Sequence, residues 1–117
     1  AAKEYTDAAD TLRYLVVRGE GLSSEELAEA RYLLARARHL LGETRGAEEA
    51  YRTLRTETPE SSWARKARFY EALLYLGQKR LLEAIPLLEG VARHDPNWAV
   101  AQEELGKAYL TLGNTGR

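Results

Sequence analysis

Two imidazoles, His39 and His94, are the groups in this chain best suited to proton transfer or metal ligation near neutral pH. They fall on separate helical segments, with no HExxH pair and no carboxylates at metal spacing around either. His39 reads as the lining of a groove. His94 reads as a cation near a helix C-terminus, where the macrodipole favours it. Gly19-Glu20-Gly21 is too short to cradle a phosphate and follows no strand, so it reads as a loop. Ser23 and Ser24 belong to a helix start, no GxSxG stretch or Ser-His-Asp grouping can be assembled, and the absence of cysteine removes thiolate chemistry. The carboxylate pairs Glu25-Glu26, Glu48-Glu49 and Glu103-Glu104 fall in early helical turns, where they complement the positive end of the helix. The expectation is a chain that is not an enzyme and carries no cofactor or metal.

The elements that position these residues are helical. Eighteen alanines and nineteen leucines stand against one isoleucine, four valines and one phenylalanine, so the apolar content consists of helix formers. With 117 residues, 44% hydrophobic and 30% charged, the chain fits one folded domain. The formal net charge is -1 with both signs interleaved, and the basic run Arg65, Lys66, Arg68 is short; no nucleic-acid partner is expected. No apolar run is long enough to enter a membrane directly. Cytoplasmic and periplasmic locations both stay open.

Spacing predicts six antiparallel helices, over residues 3–17, 24–41, 45–57, 62–76, 80–94 and 98–112. Leu27, Ala30, Leu34, Ala37 and Leu41 recur at steps of three and four behind Ser23, with Glu26 completing a capping box. Gly42 supplies the left-handed stop. Ala47, Ala50, Tyr51 and Leu54 give the return helix, and Pro59 ends it. The plan then recurs, with Ser61 or Ser62 as cap, Gly77 as stop and Pro96 after the return helix. Pro86 lies inside that helix, near enough to its start to predict a mild kink. Pro59 and Pro96 are 37 residues apart, Gly42 and Gly77 are 35 apart, and Gly77 and Gly113 are 36 apart. A period in the mid-thirties built from two helices predicts an α-α superhelix, in which neighbours stack to make the core.

The residues "LLEAIPLLEGVARHDP" and "WAVAQEELGKAYLTLG" resemble the tetratricopeptide repeat. Ala84, Leu88, Val91 and Pro96 match the second helix of a repeat. Ala101, Leu105, Gly106, Ala108, Tyr109 and Gly113 match a first helix. Ala35, Gly42, Ala47, Tyr51, Leu54 and Pro59 fit in the preceding copy. "TPESSWARKA" is similar to bacterial envelope repeat proteins of the outer-membrane assembly lipoprotein kind. On this plan Ala47, Ala84 and Gly106 are expected where helix axes approach closely. Phe69 and Tyr70 depart from it by standing where a small residue is usual.

The resemblance implies a TPR-like solenoid phased second helix first, with Tyr5, Ala8, Leu12 and Leu15 on a second helix that has no first helix ahead of it. The segment therefore reads as one domain of a longer protein. It also implies that the inner surface binds a peptide or protein segment. Carrying the inner positions over gives Glu29, Tyr32, Arg36 and His39, then Trp63, Lys66 or Ala67, Tyr70 and Leu74, then Val100, Glu103, Lys107 and Thr111. Tyr32, Arg36, Trp63 and Tyr70 are the expected anchors. Two functions follow as expectations. One is a non-catalytic interaction scaffold. The other is a self-association module in which the terminal helices, lacking repeat neighbours, mediate homo-oligomerisation.

Overall fold

A computed structural model describes residues 2–115, without the Thr115 side chain. The described residues form six helices and no strand: α1 (Ala2–Arg18), α2 (Ser24–Leu40), α3 (Thr44–Glu57), α4 (Ser62–Gly77), α5 (Leu81–His94) and α6 (Ala99–Thr115). They divide into two compact units, the first ending at Ala67 and the second beginning at Arg68, inside α4.

In the first unit α2 packs against both α1 and α3. Its start is fixed by the capping box. Glu26 N–H donates to Ser23 Oγ at 3.1 Å, and Ser23 N–H donates to Glu26 Oε1 at 2.9 Å. These two bonds satisfy amides that the helix itself leaves without acceptors. At the other end Gly42 N–H donates to His39 O at 3.0 Å and Glu43 N–H to Arg38 O at 2.9 Å. This is a Schellman closure, with Gly42 at φ +78 as its left-handed residue. Ala9, Leu34 and Ala37 join α1 to α2, with Leu12, Val16 and Leu41 packed around them. On α3, Ala47, Ala50, Tyr51 and Leu54 are all buried, which uses the whole apolar stripe that the spacing indicates.

The second unit is built on Phe69, Ala72, Ile85, Leu88 and Val91, with Ala101 and Ala108 of α6 against them. Trp98 lies beside this cluster, its ring centroid 4.6 Å from that of Phe69. The large ring of Phe69 is thus accommodated in the core, although the repeat plan favours a small residue there. α5 continues through Pro86 to His94. Both Pro86 and Leu82, whose carbonyl the missing N–H would have met, are exposed.

Three glycines behave differently from expectation. Gly77 is the last helical residue of α4 and is not the left-handed stop. Lys79 takes that role at φ +61, with Lys79 N–H donating to Leu76 O and Arg80 N–H to Tyr75 O. The closure is again of Schellman type, displaced two residues past the glycine. Arg80 braces it: the guanidinium lies 4.5 Å from the Tyr75 ring centroid, donates to Gln78 Oε1 at 2.8 Å and pairs with Glu83. Gly113 does not stop α6, which runs through it to Thr115. Gly106 is exposed, and a Cβ placed on it meets nothing within 4 Å, so no close helix crossing occurs at that residue. The small residues that pack on α6 are Ala101 and Ala108.

Candidate functional site

The expected inner-surface residues of the first unit sit on α2 and the first turns of α4. Tyr32 is only 7% exposed, and its ring centroid stands 5.3 Å from that of half-buried Trp63. Lys66, one turn beyond Trp63, holds its ammonium 5.3 Å from the Trp63 centroid and 5.7 Å from that of Tyr32. A cation over both rings occupies the faces that a ligand would otherwise use. Tyr32 is therefore a packing residue more than an exposed anchor. Glu29 is exposed and Arg36 is half-buried.

His39 is half-buried, with Nδ1 3.0 Å from the Tyr51 hydroxyl and the two rings edge to face. Burial holds its pKa below the ordinary 6.5, and the Arg36 charge adds to the effect. The imidazole thus orients Tyr51, which is fully buried. Ala35 and Ala47 are fully buried beside it in sequence register, whereas Pro59 is exposed just past α3.

In the second unit Tyr70 is half-buried, its ring edge-on to Phe69 at 5.3 Å. Leu74 is 6% exposed and is a core residue, which corrects its expected place on a binding surface. The spacing of Tyr70 and Leu74 cannot distinguish a face turned to solvent from one turned to a neighbouring helix. Glu71, between them in sequence, is a buried carboxylate that accepts the Tyr75 hydroxyl at 3.2 Å. Ala84 is fully buried and Pro96 exposed. Tyr109, expected in repeat packing, is 46% exposed and donates its hydroxyl to Glu89, which raises its pKa.

The expected stripe on α6 remains accessible. Val100, Glu103, Lys107 and Thr111 are all exposed. Lys107 Nζ pairs with Glu103 at 3.3 Å and Glu104 at 3.5 Å, and these bonds raise its pKa. Lys107 and Thr111 border a cleft of about 640 Å³ whose other walls are Leu76, Lys79, Leu81, Glu104 and Ala108. This volume lies within the range of small-molecule and side-chain binding clefts. Sequence reasoning missed Leu76, Lys79 and Leu81. They come from the last turn of α4, the connecting turn and the first residue of α5, and their position depends on the left-handed Lys79, which no glycine signals.

Among the described residues, no group of three or more His, Cys, Asp or Glu could hold a metal ion. No described helix is long and apolar enough to cross a membrane. Comparison with models of known protein families, with curated proteins and with solved structures finds no match.

Proposed function

We propose that this chain is a non-catalytic binding scaffold of tetratricopeptide type, which holds a segment of another protein against the exposed face of α6. The observation that carries the reading is the cleft beside α6. Leu76, Leu81 and Ala108 supply an apolar floor, while Lys79 and Lys107 supply cations at its border. Lys107 is already shared between two carboxylates, whereas Lys79 makes no side-chain hydrogen bond or ion pair among the described residues. The complementary segment carries one large apolar side chain with an acidic residue near it.

Selection of a random peptide library on the immobilised chain tests this directly. Wild type enriches peptides that pair an apolar residue with an acidic one. A variant carrying both K79E and K107E loses their binding in fluorescence anisotropy while keeping its helical circular dichroism. Equal binding by that variant sinks the proposal.

Self-association is a second reading, supported by apolar side chains exposed on the first and last helices: Tyr14 and Val17 on α1, Leu110 on α6. Light scattering across concentration separates the two readings. Self-association requires a dimer that L110E abolishes. Leu12 is unsuited to that test because it packs against the α1–α2 core.

A further inference from the structure

The first unit contains a second, separate cleft that the binding-scaffold reading does not use. Arg13 of α1 and Arg31 and Arg38 of α2 converge on a cavity of about 250 Å³. On α2, Arg31, Leu34 and Arg38 lie on the side opposite Tyr32, Arg36 and His39, as the helical period requires. Arg31 Nε is buried and has no hydrogen-bond partner. Neither Arg13 nor Arg31 forms a side-chain hydrogen bond or ion pair among the described residues. Arg38 donates one bond to Gly46 O at 3.3 Å, and Gly46 makes room for it: a Cβ there would stand 3.3 Å from Arg38 Cδ. Three guanidinium charges lining one small cavity repel one another, and an anion placed among them offsets that repulsion.

The rest of the lining selects the anion. Val16, Val17, Leu34 and Ala50 form aliphatic walls, Glu49 adds one negative charge, and Thr53 adds a neutral hydroxyl. Phosphate, a strongly hydrated dianion, gains nothing from such walls and is repelled by Glu49. A singly charged carboxylate matches the planar guanidinium fork and brings its own aliphatic chain. The volume falls just below that of drug-sized sites, which limits the occupant to a short chain. We propose that the α1–α2–α3 cleft binds a short aliphatic monocarboxylate, the carboxylate on the arginines and the chain against Val16, Leu34 and Ala50.

Amide chemical-shift mapping with sodium isocaproate tests this, using isocaproamide and inorganic phosphate as controls. The acid should shift amides near residues 13–17, 31–38 and 49–53 saturably, and the controls should not. R13Q and R31Q should each weaken binding about tenfold, the effect of losing one charge-assisted pair. E49Q should strengthen it, a gain that a merely structural role for Glu49 does not give. If R31Q fails to fold, R13Q, on an exposed position of α1, carries the test alone. N-acetyl-leucine identifies the source: tighter binding than isocaproate assigns the carboxylate to a peptide chain end, and weaker binding assigns it to a free acid. No saturable shift, equal effects of the acid and its amide, or weaker binding by E49Q would overturn the proposal.

Discussion

α2 and α6 are each seventeen residues long and carry apolar side chains at helical spacing, yet they are used differently. α2 lies between α1 and α3 and buries Ala28, Ala30, Tyr32, Leu34, Ala35 and Ala37, which spread over more than one side of the helix. α6 packs on α5 and buries Ala101 and Ala108, while Val100, Tyr109 and Leu110 stay exposed. The difference comes from the flanking helices and not from composition, because α6, with three charged residues against six in α2, is the less polar of the two and still the more exposed. Enclosure turns prospective binding residues such as Tyr32 into packing. The open face of α6 leaves Lys107 and Thr111 free to line a cleft.

The largest expected contrast is between equivalent truncations. Leu34 is 5% exposed and Leu110 70% exposed. Leu34→Ala should cost about 3 kcal/mol in chemical denaturation, and Leu110→Ala less than about 0.5 kcal/mol. Similar losses at the two sites would break the distinction between an enclosed and an open helix.

The glycines give a smaller effect with opposite signs. Gly42→Ala forces a side chain into the left-handed region at the end of α2 and should destabilise by about 1 kcal/mol. Gly106→Ala places a methyl in open space on α6 and should stabilise by up to about 1 kcal/mol. Lys79→Gly should also stabilise, by about 1 kcal/mol, since Lys79 bears the left-handed strain that Gly77 does not take. Thermal denaturation of the three variants measures these shifts.

The α2 cap gives a further contrast, because α6 has Asn97 and Trp98 ahead of it and no capping box. Ser23→Ala should cost about 1 kcal/mol. The Ser23 backbone and hydroxyl bonds hold the Glu26 pKa below its ordinary 4.5. A depressed carboxylate stabilises the fold above its unfolded pKa, and that contribution disappears as pH falls through the folded value. Stability curves of wild type and Glu26→Gln should therefore converge in acid.

The smallest effect concerns His39. Its folded pKa lies below 6.5, so the unfolded chain takes up the proton first as pH falls from 6.5 towards the folded value. Stability should decline across that window and level off beneath it, and His39→Asn should flatten the decline. An imidazole that titrates at or above 6.5 by NMR would contradict the burial account.

The helices were readable because their signals are local. Ser23 with Glu26, Gly42, and the spacing of Ala47, Ala50, Tyr51 and Leu54 each fix a start, a stop or a buried face without knowledge of neighbours. The binding surface was less readable because exposure is set between helices. Tyr70 and Leu74 satisfy the same spacing as Lys107 and Thr111, but they lie partly or wholly within packed surroundings. Gly106 fits a crossing by type and yet faces open space. The cleft arginines, Arg13, Arg31 and Arg38, come from two helices and follow no single period, so only their convergence in three dimensions identifies them.

Chemical-shift mapping with a library-selected peptide compares α2 and α6 most directly. An available face on α6 requires the shifted amides to cluster at Leu76–Leu81 and Glu104–Thr111, with α2 unaffected. Shifts centred on Tyr32, Trp63 and Lys66, with α6 silent, would contradict that assignment.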